Sequence, residues 1–323
     1  MIKTYAQVIK DTLDEELAKD QTIFLFGEDI GVYGGCFGAT KGLLEKYPGR
    51  VIDSPMSEQT ITGLGIGAAL NGLKPIIEIM FMDFITLTYD QLLNHASVFN
   101  YLSNGQTPIP LVLRIPAGGG RGYGATHSKS LWSPLMNIPG IKIVTPSCPR
   151  DVAGLLRASI EDKNPVIFVE HKSLYQIKEE MDGAEEFIPI GKAKIVKQGN
   201  TATMISFSKM VRDCLEIANK LEQENISIEV IDLRTIKPLD METIQTSVEK
   251  TGKIIIVEEG FSTSGVSAEI MARIIEECFY SLNAPIKRVC TKDIPLPCCP
   301  AMENKAIPSK ERIEAELRAL LNE

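Results

Sequence analysis

The residues best placed for acid–base chemistry lie in the stretch Ser54-Pro-Met-Ser-Glu-Gln-Thr60, which runs into Gly63-Leu-Gly-Ile-Gly-Ala-Ala-Leu-Asn-Gly72. This stretch sets a single carboxylate, Glu58, at the start of a predicted helix, just after the apolar strand Val51-Ile-Asp53. Helix starts attract acidic side chains through unpaired N–H groups and the macrodipole, so a first-turn charge after a Ser57 cap is the plain structural account of Glu58. The glycines at 63, 65 and 67 argue for more. Each interior glycine costs roughly 1 kcal/mol of helix stability relative to alanine, so their clustering predicts close packing against a neighbour. A carboxyl desolvated in such a pocket holds its proton to higher pH, which makes proton sharing near neutrality feasible.

The chain has three histidines, at 95, 127 and 171. His95 falls in a predicted helix, where packing is its default role. His171 follows a predicted strand and reads as a capping or surface residue. His127 sits beside Ser128, after the loop Gly118-Gly-Gly-Arg-Gly-Tyr-Gly124. There a polar structural role and a catalytic one are equally open on the residues alone. The loop resembles a phosphate cradle but lacks the Lys-Ser/Thr pair that would hold a terminal phosphate and metal. A mobile glycine loop carrying His127 to a site is the better reading. Gly63-Leu-Gly-Ile-Gly-Ala68 also satisfies a dinucleotide fingerprint, with Asp83 twenty residues from Gly63, and would make the chain an NAD-binding oxidoreductase. That fingerprint needs a strand ending at the first glycine. Here Glu-Gln-Thr-Ile-Thr precedes it and reads as helix already begun.

The elements that must position these groups alternate along the chain. Candidate strands at 22–26, 51–53, 75–80, 110–115, 141–144 and 166–170 are separated by helical patterns, notably 60–70, 84–101 and 149–160, with Pro149 suited to a first helical position. Near-continuous Val/Ile/Leu strands predict parallel sheets covered on both faces. A polar stretch at 173–189, with the acidic segment Glu179-Glu-Met-Asp-Gly-Ala-Glu-Glu186, reads as the crossing between domains. A second alternation follows, with strands at 203–207, 228–232, 254–258 and 286–290 and helices at 211–223, 241–250, 264–279 and 309–321. The expected fold class is α/β, with two doubly wound domains and mainly parallel sheets, covering 1–185 and 186–323.

Bulk properties are those of a globular protein. A chain of 323 residues exceeds one ordinary core, and it is 44% hydrophobic and 24% charged. The formal net charge of -8 and the absence of a basic run argue against nucleic acid as a partner. No apolar stretch has the roughly 20 residues needed to cross a bilayer, so no membrane role is expected. The first residues show a helical pattern (Tyr5, Ile9, Leu13, Leu17) and not a signal or transit segment. Seven cysteines form no Cys-x-x-Cys pair, and reduced thiols in a cytoplasmic setting are expected.

Several of these stretches occur together in one known family. Ser54-Pro-Met-Ser-Glu58 through Gly72-Leu-Lys-Pro75, then Glu78-Ile-Met-Phe-Met-Asp-Phe84, resembles the beta subunit of thiamine-diphosphate-dependent 2-oxoacid dehydrogenases, the pyruvate, branched-chain and acetoin types. Gly27-Glu-Asp-Ile-Gly-Val-Tyr-Gly-Gly35, Ala125-Thr-His-Ser128, Asp162-Lys-Asn-Pro-Val166, Asp232-Leu-Arg-Thr-Ile-Lys-Pro-Leu-Asp240 and Val257-Glu-Glu-Gly260 follow the same family's order. The resemblance spans essentially the whole chain. It implies a pyrimidine-binding domain followed by a transketolase-type C-terminal domain. It also implies oxidative decarboxylation of a pyruvate-like 2-oxoacid, or acetoin cleavage, with acyl transfer to a lipoyl group on a separate acyltransferase core.

By this resemblance Glu58 hydrogen-bonds a ring nitrogen of the aminopyrimidine, and Phe84 packs on that ring with Met80 beside it. Glu28 belongs to an acidic path leading from Glu58, and His127 lies at the cofactor and substrate channel. Gln59 stands where some relatives carry a second acid. The resemblance also implies a potassium ion held by backbone carbonyls of Leu111, Ser159, Ile160, Asp162 and Asn164. Thiamine enzymes hold Mg²⁺ and diphosphate with a Gly-Asp-Gly segment, and none occurs in this chain. The implied assembly is therefore a heterotetramer of two alpha and two beta subunits, with Mg²⁺ on the alpha chain. A non-catalytic assembly subunit of such a complex is the remaining alternative.

Overall fold

The structure is a computed structural model that describes residues 1–184 and 186–323. Glu185, in the acidic segment, lies outside them. The chain divides into two compact units. The first comprises Met1–Ala117 and Pro134–Ile190, and the second Gly118–Ser133 and Gly191–Glu323.

In chain order the first part runs β1 (Ile2–Thr4), α1 (Tyr5–Lys19), β2 (Ile23–Gly27), α2 (Leu43–Lys46), β3 (Val51–Asp53), α3 (Glu58–Leu70), β4 (Lys74–Glu78) and α4 (Phe99–Leu102). It continues with β5 (Val112–Ala117), α5 (Trp132–Met136), β6 (Lys142–Val144), α6 (Pro149–Glu161), β7 (Val166–His171) and β8 (Lys178–Glu180). Six strands are hydrogen-bonded in the order β6-β7-β5-β4-β2-β3, every pair parallel. The expected parallel sheet is present. α1 starts with a reciprocal cap: Gln7 N–H donates to Thr4 Oγ1, and Thr4 N–H donates to Gln7 Oε1. Its apolar face, Tyr5, Ile9, Leu13 and Leu17, joins Leu25, Val112, Leu155 and Phe168 in the first core. The polar stretch expected to be only a crossing also contributes β8, which pairs antiparallel with β1.

The segment 84–101, expected to be one regular helix, is broken. A 3-10 helix covers Met82–Thr88, a π-helix covers Gln91–Ala96, and only Phe99–Leu102 is α-helical. Hydroxyls explain part of this, because Thr88 Oγ1 donates to Ile85 O and Ser97 Oγ to Leu93 O, competing with the regular ladder.

The second part runs β9 (Lys194–Lys197), β10 (Ala202–Ser206), α7 (Met210–Glu222), β11 (Ile228–Asp232), β12 (Thr235–Lys237), α8 (Met241–Thr251), β13 (Ile254–Phe261) and α9 (Val266–Cys278). It ends with β14 (Lys287–Thr291), α10 (Pro300–Ala306) and α11 (Lys310–Leu321). Its sheet has the order β14-β13-β10-β11-β9, parallel except where β9 runs against β11. A second core gathers Met204, Ile217, Leu221, Val230, Ile255, Val257, Val289, Ile313 and Leu317.

The three helix glycines of α3 are not equivalent. A Cβ on Gly65 would lie 3.0 Å from Ile77 Cγ2 and 3.1 Å from Leu111 Cδ1, so the helix is pressed onto the sheet there. Gly63 has ordinary room, and Gly67 has nothing within 4 Å. The expected close packing therefore holds at Gly65 alone. Gly67→Ala should raise stability by about 0.5–1 kcal/mol through helix propensity. Gly65→Ala should lower it by about 1–3 kcal/mol through overpacking that outweighs the same gain. Urea denaturation of the two variants reads the opposite signs.

Candidate active site

β2, β3 and β4 are parallel neighbours, so their C-terminal ends and the helix that follows β3 share one edge of the first unit's sheet. Ligands of open α/β sheets gather at such edges. Glu58 is the first residue of α3 and is 7% exposed. Its carboxylate makes no hydrogen bond among the described residues, although its carbonyl accepts from Thr62 Oγ1 at 2.9 Å. Ser57 occupies the N-cap but does not cap. Its hydroxyl turns to Thr60 Oγ1 at 2.8 Å. α3 already contains Gly63, Gly65 and Gly67, so these residues cannot form a dinucleotide-binding turn.

Glu28 follows directly on β2 and is half-buried. Burial raises its carboxyl above the ordinary range, and the charges of Asp29 and Glu58 add to the shift. The Cys36 thiol is raised as well, by desolvation and then by the charges of Glu78, Asp29 and Glu28. Met80 and Phe84 are half-buried beyond β4. Phe84 meets Phe81 edge to face at 6.2 Å, and Phe81 meets Phe37 likewise at 6.1 Å. The ammonium of buried Lys172 lies 5.1 Å from the Phe81 ring centre.

Beneath these groups lies a charged ladder that the sequence reading missed. Glu78 ends β4, directly opposite Arg114 of β5. Arg114 Nη1 donates to Glu78 Oε2 at 2.7 Å, and its Nε and Nη2 donate to Glu170 of β7 at 2.7 and 3.0 Å. Tyr175 Oη completes the ladder on Glu170 Oε2 at 2.5 Å, and Phe37 stacks on its ring at 4.5 Å. Burial raises the Glu78 carboxyl, Arg114 lowers it, and Glu170 raises it again. The signal was one charge inside each of three apolar runs, which for a buried strand implies a partner on the next strand.

His127 lies in the second unit and is half-buried. Its Nδ1 pairs with Thr126 Oγ1 at 2.9 Å, and its N–H donates to Gly124 O at 3.2 Å. His95 is exposed, its ring stacked 6.1 Å from Phe99, and buried His171 accepts Ser173 N–H at Nδ1. Of the residues expected to hold potassium, Ser159, Ile160 and Asp162 lie at the end of α6, and Leu111 adjoins the start of β7. Leu111 O accepts from Val166 N at 2.8 Å, Ser159 O from Asp162 N at 3.4 Å, and Asp162 Oδ1 from Asn164 N at 2.9 Å. Ile160 is buried in the last turn of α6. No group of three or more His, Cys, Asp or Glu side chains among the described residues could hold a metal ion. No helix among them is long and apolar enough to cross a membrane.

Residues 3–178 match the transketolase pyrimidine-binding domain, and residues 191–313 match the transketolase C-terminal domain. A solved split-gene transketolase, described as an inactive beta4 tetramer, superimposes with a TM-score of 0.83 at 19% identity over 98% of each chain, a likeness of fold. The two matched domains and the fold thus define a transketolase-type chain.

Among sequence relatives, pyruvate dehydrogenase E1 component subunit beta-1 of Arabidopsis thaliana is 44% identical over 96% of this chain and 87% of its own length. The pyruvate dehydrogenase E1 beta subunit of Rickettsia bellii is 42% identical over 95% of each. The 2-oxoisovalerate dehydrogenase beta subunit of Bacillus subtilis is 41% identical over 99% of this chain and 98% of its own. The chain belongs to the family of beta subunits of thiamine-dependent 2-oxoacid dehydrogenases.

Proposed function

We propose that this chain supplies the pyrimidine-activating half of a thiamine diphosphate site that it shares with an alpha subunit. The observation that carries this reading is the Glu58 carboxylate, buried at the start of α3 with no hydrogen-bond partner among the described residues. A buried carboxylate without a partner fits a ring nitrogen able to share a proton with it. Thiamine diphosphate would supply the nucleophilic carbon and the electron sink for decarboxylation. Glu58 would hold a proton at the aminopyrimidine ring nitrogen, Glu28 would tune and relay that proton, and Met80 with Phe84 would flank the ring. His127 would orient the substrate or hand a proton to it or to the accepting sulfur.

In this reading the substrate is a small 2-oxoacid, pyruvate-like or branched, or else acetoin, and the acceptor is a lipoyl arm on a separate core. Mg²⁺ and diphosphate belong to the alpha chain of a two-alpha two-beta heterotetramer. Carbonyls of Leu111, Ser159, Ile160, Asp162 and Asn164 would hold potassium. The domains are 1–185 and 186–323, and the setting is cytoplasmic.

The test is complementation. The chain alone should show no 2-oxoacid-dependent reduction of an artificial electron acceptor and should bind thiamine diphosphate weakly. Co-expression with a chain carrying Gly-Asp-Gly should give turnover. Full activity of the chain by itself, or tight NAD binding in a fluorescence titration, would sink the reading.

A further inference from the structure

The glycine loop at 118–124 does hold acidic groups, but they are the protein's own carboxyls. Gly119 N–H donates to Glu259 Oε1 at 2.5 Å, and Gly122 N–H donates to Glu303 Oε2 at 2.7 Å. Loop and carboxylates all lie in the second unit. Glu259 stands near the end of β13 and is 6% exposed, while Glu303 in α10 is fully buried. The glycines are what let the loop come this close. A Cβ on Gly119 would sit 3.0 Å from Glu303 Oε1, and one on Gly122 would sit 2.9 Å from Cys298 O, at a φ of +72°. Gly124 lies over Cys298 in the same way, its added Cβ 3.4 Å from Cys298 Cβ. Three residues further on the chain reaches His127, whose N–H is tied to Gly124 O.

We propose that Glu303 and Glu259 are positioning residues, a pair of buried carboxylates that clamp the glycine loop and thereby fix where His127 is presented. The proposal rests on the catalytic reading of His127 above. Each carboxyl group accepts one backbone N–H, so the loop is tied at two points, Gly119 and Gly122. Neither acid needs to touch substrate, because each acts through the main chain. The glycines thus serve docking, and the apparent phosphate cradle has no vacancy at Gly119 or Gly122 for an outside anion.

The test uses the assembled enzyme and the full chain. Glu303→Ala should lower kcat at least tenfold with KM for the 2-oxoacid changed less than threefold. Glu303→Gln, which keeps the shape and one acceptor oxygen, should lose less. Because Glu303 acts through His127, adding Glu303→Ala to His127→Ala should cost nothing further, since residues that work as a unit are non-additive. With three histidines in the chain, the imidazole resonances can be followed singly. Glu303→Gln and Glu259→Gln should shift and broaden that of His127 and leave those of His95 and His171 in place.

An unmoved His127 resonance in both glutamine variants overturns the clamp, as does a multiplicative loss in the double variant. Unchanged turnover in His127→Ala would instead sink the catalytic reading of that histidine, with the resonances still deciding whether the clamp exists. Should Glu303→Ala fail to fold, the two glutamine variants carry the test.

Discussion

Replacing Glu58 by glutamine is expected to lower turnover of the assembled enzyme by about 10²–10⁴-fold, the range that a positioned acid–base group contributes. The fold should survive. The Glu58 carboxylate makes no hydrogen bond among the described residues, so the substitution breaks none. Glutamine fills the same space and can still meet a ring nitrogen, but it cannot share a proton with it. A second readout is independent of turnover. Glu58 is one of the charges that hold the Glu28 carboxyl above its ordinary range, after burial and Asp29. Neutralising it should let Glu28 titrate lower, which carboxyl-detected NMR on the isolated chain can follow. Wild-type turnover from Glu58→Gln would leave only a non-catalytic assembly role for the chain. A changed melting temperature together with lost activity would mean that the side chain holds the fold.

Much of the fold could be read in the residues because local and global signals agree. Near-continuous apolar runs gave β2, β5, β7, β10, β11 and β13, and Pro149 marked the first turn of α6 as expected. The place of Glu58 at the start of α3 was legible for the same reason, since a strand, a turn and a glycine-bearing helix occur in sequence order. Two kinds of feature were not. The break at 82–102 depends on hydroxyls bonding their own backbone, which periodicity does not register. The contacts at Glu78, Arg114, Glu170, Glu259 and Glu303 are long-range pairings between groups 36 to 181 residues apart. A single charge in an apolar run says that a partner exists, but only the strand order β7-β5-β4 says which one. Likewise, seven short residues of α10 gave no periodic signal, yet they deliver Glu303.

The ladder under the site should be the most stability-critical polar feature of the first unit. Arg114 is 2% exposed and joins two carboxylates of which Glu170 is fully buried. Removing one partner of such a group leaves charge without compensation in a medium that solvates it poorly, and typically costs about 3–5 kcal/mol. Against a total stability of about 5–15 kcal/mol, Arg114→Met is a severe change even though methionine fills much of the same volume. Pairing it with Glu78→Gln and Glu170→Gln should recover part of the loss, because no ionised group then remains unpaired.

The pH dependence fixes the cause. Glu78 is already raised by burial, and the guanidinium is what lowers it. In Arg114→Met it moves further up, so between the ordinary carboxylate range and its native value the folded chain binds more protons than the unfolded one. Stability then falls as pH rises through that window and is regained on acidification. The gap between variant and wild type in urea denaturation should therefore narrow as pH drops from the alkaline side towards the ordinary carboxylate range. A gap that stays constant with pH would mean that Arg114 matters for its packing and not for its charge.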